Sequence, residues 1–308
     1  MKHAIKIGTR ESQLAVWQAT LVQTLLKKNN VASELVYIKS EGDVDTITPL
    51  YELGVQGIFT KSLDAALING RVDIAVHSLK DVPTKLASGI RQAAVLKRAS
   101  HKDILVYKND PSFLHDKNSH AVVATSSIRR IAQWLHRYPN HLVENLRGNV
   151  NTRLRKVKEH AWNGAIFAAA GLERINLRPQ NSVDLDWMLP APSQGAITIV
   201  CREDDTNSFD NCNALKDGET ALCTGIERDF LRTLLGGCST PISGLASITN
   251  GSVVFKGNIC SPDGKVKIEV EKSASVRDSE KLGLATAHEL LEMHEVQKII
   301  SGIRNVTK

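Results

Sequence analysis

The sequence predicts an α/β protein with two successive sheet-and-helix units and a smaller C-terminal α+β unit. Three observations carry that prediction. Apolar strand-like runs alternate with helically spaced apolar residues in the first third of the chain, and the alternation recurs in the middle. After Gly251 the pattern changes to two strand-like runs followed by a helix. The 308 residues, 42% hydrophobic and 23% charged, suffice for two or three domains with separate cores.

Ala4 to Gly8 reads as a short strand. Leu14, Trp17, Leu21 and Leu25 then recur at helical spacing, with Ser12 or Thr9 available as N-cap. Leu35 to Lys39 is a second strand, and Glu41 to Gly57, with three glycines and a proline, reads as a loop. Phe59 to Ile68 reads as a helix stopped by Asn69-Gly70, and Val72 to Val76 as a fully buried strand. In the middle of the chain, Ala121 to Ala124, His141 to Asn145 and Gly164 to Ala170 are strands. They alternate with helices over Ser127 to His136 and Asn151 to Glu159. The last part holds strands over Val253 to Ile259 and Lys265 to Val270, then a helix from Ser279 to Met293. No internal repeat is countable.

Composition narrows the function classes. No apolar run is long enough to span a bilayer, and MKHAIKIGTRES lacks the apolar core of a signal peptide. The five cysteines are an odd number, widely spaced, with no Cys-x-x-Cys pair, so a reducing cytoplasm fits better than a disulfide framework or a metal cluster. Net charge is +6, and between Arg129 and His160 eight Arg or Lys face only two acids. That segment is either a solvated basic face or a seat for polyanions, and planar arginine forks suit carboxylates or phosphates.

Several stretches could carry chemistry. Val76-His77-Ser78-Leu79-Lys80-Asp81-Val82-Pro83 places Lys80 and Asp81 just past the end of a buried strand, where ligands gather in open α/β sheets. A surface turn stopped by Pro83 is the plainer reading, and His77 reads as a buried, satisfied histidine. Thr125-Ser126-Ser127-Ile128-Arg129-Arg130 follows a strand and opens a helix, so free amides, hydroxyls and two arginines make an anion seat or a simple cap. Leu146-Arg147-Gly148-Asn149-Val150-Asn151-Thr152-Arg153 repeats the theme, and Ser193-Gln194-Gly195-Ala196 suggests a hinge crossing. GGCSTPI holds Cys238 in an open loop with little apolar cover on its N-terminal side. There is no Gly-x-Gly-x-x-Gly or phosphate-loop motif. His288 to His294 imitates a zinc helix with the wrong histidine spacing and reads as one amphipathic helix face.

Taken together, IGTRESQLAVWQA, VHSLKDVPT, TSSIRR, LRGNVNTRL, AAAGLERI, SQGA and GGCSTPI resemble the porphobilinogen deaminase (hydroxymethylbilane synthase) family in order and spacing. The resemblance runs from about Ile5 to the last helix and is weakest in the third domain. It implies two domains like type II periplasmic binding proteins around a cleft, plus a smaller α+β domain carrying the cysteine loop. The boundaries expected are 1–97 with 195–213, then 98–194, then 214–308.

The resemblance also implies an activity: condensation of four porphobilinogen molecules on a covalent dipyrromethane primer, releasing ammonia and then linear hydroxymethylbilane. Cys238 matches the thioether anchor of the primer and Asp81 the catalytic aspartate. Lys80, Thr125, Ser126, Ser127, Arg129, Arg130 and Arg153 match cofactor-binding positions. Arg10, Ser12, Arg147, Arg153, Arg174 and Gln194 match substrate-binding or hinge positions. A cytoplasmic monomer acting on a small molecule is implied, with no metal, nucleic acid or membrane partner. The rival reading is a non-catalytic two-domain binding or effector-sensing protein, which leaves the Cys238 loop without a purpose. Glu52, Gln56, Ser62 and Pro192-Ser193 depart from the family's usual residues, the first two on the flexible lid over the cleft.

Overall fold

The computed structural model describes residues 4–39, 60–234 and 240–306. Cys238 with its neighbours Gly236, Gly237 and Ser239, and Glu52 and Gln56, lie outside the described residues.

In the first sheet, strands β1 (Ile5–Thr9), β2 (Ser33–Tyr37) and β3 (Ile74–Ser78) run parallel in the order β2-β1-β3. Strands β10 (Ile197–Arg202) and β4 (Ile90–Val95) extend the sheet, with β10 antiparallel to both neighbours. Helix α1 (Gln13–Lys28) lays Ala19, Val22 and Leu26 on one face, against Ile5, Ile7 and Ile74. Helix α2 (Lys61–Ile68) lays Leu63, Ala66 and Leu67 on the other, against Val72, Ala75 and Val200. Each fully buried Leu or Ile in these layers contributes roughly 1.5–3 kcal/mol relative to exposure. Ser12 caps α1 as expected, its hydroxyl accepting from the Ala15 amide at 3.4 Å.

The second sheet has the order β7-β6-β8-β5-β9. Its strands are β5 (Asp103–Tyr107), β6 (Val122–Ala124), β7 (Leu142–Glu144), β8 (Gly164–Ala168) and β9 (Ser182–Asp184). Here β6 is parallel to β7 and β8, whereas β5 is antiparallel to β8 and β9. Both sheets therefore have three parallel strands with the earliest in the centre, followed by an antiparallel one. This repeat is structural, carried by no countable sequence identity. Helices α3 (Ile128–Arg137), α4 (Val150–Glu159) and α5 (Ala169–Glu173) belong to this unit.

Two segments cross between the sheets side by side. Leu96 donates to the Ile197 carbonyl (2.9 Å), and Ala99 donates to that of Gly195 (3.0 Å). Gly195 has φ +87°, and a Cβ there would lie 2.6 Å from the Ser100 carbonyl oxygen, so only glycine lets the strands cross this closely. Helix α6 (Thr206–Asn213) follows the return strand.

The last unit is a meander, β11 (Ile242–Thr249), β12 (Ser252–Cys260) and β13 (Lys267–Ser275), covered by α7 (Gly218–Leu234), α8 (Leu282–Leu291) and α9 (His294–Val306). Its core joins Ile226, Phe230 and Leu234 to Phe255, Ile259 and Ala287, and the Phe230 and Phe255 rings meet edge-on at 4.9 Å.

The α/β architecture with a smaller third unit is as expected, with local differences. The buried strand begins at Ile74 because Val72 packs beneath α2 before the ladder starts. The strand from Gly164 ends at Ala168, where the small residues Ala169-Ala170-Gly171 turn into α5. The helix expected over Ser279 to Met293 is present as α8, Leu282–Leu291, shorter at both ends. The Gln297 side chain donates to the Leu291 carbonyl (2.8 Å) at the end of α8, and His294 opens α9. His288 and His294 therefore sit on different helices, not on one amphipathic face. Among the described residues no helix is long and apolar enough to cross a membrane, and no group of three or more His, Cys, Asp or Glu is placed to hold a metal ion.

Candidate active site

The parallel order reverses between β1 and β3, and again between β6 and β8. Chain ends at such reversals leave a crevice that neighbouring connections do not fill. On the first side, β3 delivers a single 3-10 turn, Leu79–Asp81. Its flanking residues Leu79 and Val82 are buried, which holds the turn down while half-buried Lys80 and Asp81 face outward. Leu79 donates to the Ala196 carbonyl (3.0 Å), and Lys80 Nζ donates to Gln194 Oε1 (3.1 Å), tying the turn to the returning crossing segment. Gln194 is fully buried and donates in turn to the His101 carbonyl (2.8 Å) and Asp103 Oδ1 (2.7 Å).

On the second side, β6 delivers Thr125 to Ser127 to the N-terminus of α3. Ser127 is the cap residue, though its side chain makes no capping bond. Ser126 turns to the neighbouring loop: its hydroxyl accepts from the Leu146 amide (3.1 Å) and has Asn145 Oδ1 (2.7 Å) and the Leu146 carbonyl as acceptors for its one proton. Thr125 is buried and its hydroxyl accepts from the Ser127 amide (3.3 Å). The Ser126 hydroxyl thus locks the 125–127 loop onto the 145–147 loop while that of Thr125 braces the loop internally, structural uses the sequence does not suggest. Gly148, at φ +110°, then lets Asn149 cap α4, accepting from the Thr152 amide (2.9 Å), and Arg153 Nε donates back to the Gly148 carbonyl (2.7 Å).

The electrostatics show which side chains converge. Burial pushes Arg153 down to about 10, nearby Arg130 and Arg147 push the same way, and the Asp81 carboxylate opposes them. Burial pushes Lys80 down to about 8; Asp81 and Asp103 oppose that shift, and Arg130 and Arg129 reinforce it. Lys80 and Asp81 from one sheet thus share a field with Arg129, Arg130, Arg147 and Arg153 from the other. Burial alone would raise the fully buried Asp103, but the Arg130 guanidinium, donating at 2.7 Å, together with Arg129 and Lys80 holds the carboxyl low.

Arg10 follows β1 and lies near His77, which burial first and Arg10 second push down to about 3. His77 is buried as expected but not satisfied, since its Nε2 has no hydrogen-bond partner. The N-terminal ends of α1 and α4 meet across the two units, where Asn151 Nδ2 donates to Gln13 Oε1 (3.0 Å). Arg174 caps α5, lies 5.8 Å from the Trp17 ring on α1, and donates to the Gly195 carbonyl (2.7 Å); burial pushes it down to about 10. Ser62 is half-buried on α2.

Four residues of this region were not singled out by sequence. Asp103 opens β5 and anchors Arg130 and Gln194. Arg98 forms a two-pronged ion pair with fully buried Glu227 on α7 (2.6 and 3.0 Å). Arg228, beside it, reaches the Lys80-Asp81 turn. A lone acid before the apolar run Ile104 to Val106 could have flagged Asp103; nothing local flags the other three. Among the cysteines, Cys201, Cys212, Cys223 and Cys260 are buried free thiols, all pushed up by burial, Cys212 and Cys260 to about 12 and Cys223 to about 11. Thiols in that state are poor nucleophiles.

Comparison with known proteins matches the sequence to a family. Residues 5–210 match "Porphobilinogen deaminase, dipyromethane cofactor binding domain", and residues 221–292 match "Porphobilinogen deaminase, C-terminal domain". The chain is 39% identical to the porphobilinogen deaminase of Acidithiobacillus ferrooxidans, over 99% of this chain and 100% of that one. It is 41% identical to the chloroplastic porphobilinogen deaminase of Pisum sativum, over 93% of this chain and 81% of that one. Among solved structures, the methionine-binding protein MetQ is similar over 69% of this chain and 89% of that one, at 14% identity and TM-score 0.44. A nutrient-binding protein from Burkholderia cenocepacia bound to methionine is similar over 74% and 95%, at 15% identity and TM-score 0.43. With both halves of the chain matched and identity near 40% across almost its whole length, the chain belongs to the porphobilinogen deaminase family.

Proposed function

We propose that the chain is a transferase that condenses four porphobilinogen molecules head to tail, releasing ammonia and, after hydrolysis, linear hydroxymethylbilane for tetrapyrrole synthesis. The observation that carries this reading is the Asp81 carboxylate, set at a strand end beside Lys80 and within the field of Arg153 from the facing unit. Pyrroles bearing acetate and propionate need this pairing: cations for their carboxylates, and one acceptor for their ring N–H.

The donor set suits a dipyrromethane. Lys80, Arg129, Arg147 and Arg153 supply charge, and buried Arg130 Nε has no hydrogen-bond partner. Thioether-linked at Cys238, this group would supply the free pyrrole carbon on which condensation starts. Lys80, Ser127, Arg129, Arg130 and Arg153 would hold its carboxylates. Arg10, Ser12, Arg147 and Arg174 would hold those of the incoming substrate, with Gln194 bracing Lys80. The Asp81 carboxylate would accept the substrate's N–H, steady the cation left when ammonia departs, and take the proton that the coupled ring carbon sheds. The reading includes a cytoplasmic monomer acting on a small molecule.

Intact mass and product analysis test it together. The protein should exceed its sequence mass by one dipyrromethane, Cys238→Ser should lack that increment, and porphobilinogen should yield ammonia and a linear tetrapyrrole. Asp81→Asn keeps the shape but loses the charge, so kcat should fall by about 100-fold or more in protein that still folds. A bare-chain mass from a host well supplied with porphobilinogen, or full turnover by Asp81→Asn, would overturn the reading.

A further inference from the structure

The turn that carries Lys80 and Asp81 is weakly self-supported. Its internal backbone bond runs from the Val82 amide to the Leu79 carbonyl at 3.2 Å, and Pro83 has no N–H to give. Three carbonyls of this short stretch converge on one guanidinium. Arg228 Nη1 donates to Leu79 (3.3 Å) and Val82 (3.1 Å), and Nη2 donates to Pro83 (2.6 Å). These acceptors bracket Asp81 on both sides. A planar fork with fixed N–H directions can serve three carbonyls at once; a lysine ammonium on a flexible stem cannot hold them in one geometry.

The clamp is itself held. Its neighbour Glu227 is fully buried and accepts from Arg98, from the Ser193 amide (2.6 Å) and from the Ala246 amide (2.8 Å). These bonds pin α7 to the crossing segments and to β11 at the level of Arg228. Helix α7 ends at Leu234, four residues before Cys238.

We infer that Arg228 is a positioning residue for the reaction: it fixes the Leu79–Pro83 backbone so that the Asp81 carboxylate meets the reacting ring. The inference rests on the role given to Asp81 above. Through these three bonds Arg228 acts on backbone carbonyls, so its loss should leave the carboxylate-binding arginines in place and act on kcat. A displacement of about 1 Å at a catalytic group costs on the order of 100-fold in rate.

The test compares Arg228→Gln, Arg228→Ala and Arg228→Lys with the unaltered holoenzyme. Each is read for primer content by intact mass, for cooperative melting, for kcat and KM, and for amide exchange over residues 79–84. The expected result is a kcat about 100-fold lower per primer-loaded molecule in Gln and Ala, with KM within about threefold. Exchange should be faster at 79–84, and the lysine variant should recover part of the rate. Rates per loaded, folded molecule that match the unaltered enzyme would overturn the inference and leave the proposed function standing. A rise in KM with kcat kept would also overturn it, since that would make Arg228 a binding residue. If Ala and Gln do not fold, the lysine variant decides: full kcat with unchanged exchange overturns the clamp, whereas low kcat with fast local exchange supports it. Absence of tetrapyrrole from the unaltered protein would refute the proposed function itself, and the inference would fall with it.

Discussion

Ser193 shows how much one side chain can reveal about a crossing point. It is fully buried, has φ +67°, and its hydroxyl has no hydrogen-bond partner. A left-handed conformation costs a non-glycine residue roughly 1–2 kcal/mol, and an unsatisfied buried hydroxyl adds to that. Ser193→Gly removes both, against a smaller gain in unfolded-chain freedom, so the thermal midpoint should rise by a few degrees. A lower midpoint would show that the hydroxyl is satisfied in solution.

Lys80 supplies a second expectation at this scale. Desolvation pushes the half-buried Lys80 ammonium down to about 8, from 10.5 for a free side chain. Between these values the unfolded chain binds more protons, so raising the pH stabilises the folded state, and below about 8 the desolvated ammonium is a standing cost. Bound carboxylates would mask this, so the comparison belongs in Cys238→Ser protein. There Lys80→Met should gain stability at pH 7 relative to Lys80, and the gain should shrink as the pH rises toward 10. A gain that is constant with pH would contradict the burial of this charge.

At the scale of elements, α7 is the part whose role its own pattern hides. Its apolar residues Ile226, Phe230 and Leu234 mark a core-facing helix, yet Glu227 and Arg228 between them reach two other units. The Arg98–Glu227 pair is buried, with the carboxylate inaccessible, so removing one partner strands the other charge. Breaking such a pair costs about 3–5 kcal/mol, whereas replacing both partners by apolar groups costs far less. Glu227→Leu should therefore destabilise by about 3 kcal/mol or more, and Arg98→Met with Glu227→Leu should recover part of that loss in denaturant titrations. Additive losses would mean that the two residues act independently. The residual cost of the double variant measures the Ser193 and Ala246 amides left unpaired. Helix α3 is tied in the same way: fully buried Gln133 donates to the Leu189 carbonyl and the Ser243 hydroxyl (both 3.0 Å) and accepts from Asn258 (3.2 Å). The helix bearing Arg129 and Arg130 is thereby linked to the third unit.

At the scale of the molecule, the +6 net charge matters less than its concentration between Arg129 and His160. Arg129 and Arg130 repel Lys80, and Arg130 and Arg147 repel Arg153, which is part of why both cations are pushed down. A polycarboxylate relieves the repulsion on binding, so attraction is strongest at low ionic strength. Screening length falls from about 10 Å at 0.1 M salt to about 3 Å at 1 M, so KM for porphobilinogen should rise several-fold over that range. The kcat, set by Asp81 at contact distance, should change by less than about twofold. A salt-independent KM would argue against the arginine wall as the carboxylate seat.

What the sequence determined is local. Polar residues just past apolar strands, arginines at helix starts and the Ser12 cap of α1 can be read from spacing, because backbone geometry fixes where neighbours point. That covered Lys80, Asp81, Arg129, Arg130, Arg147 and Arg153, and most elements of both sheets. Only the tertiary structure decided what holds them. Arg228 and Leu79 stand 149 positions apart, and Gln133 and Asn258 stand 125 apart. Their pairing depends on how α7 and α3 settle against distant backbone. Asp103 and Glu227 would each be costly as isolated buried carboxylates and are tolerated because guanidinium groups from other segments arrive beside them. Such meetings depend on packing and on the side-by-side crossing between the sheets, which short-range periodicity does not encode.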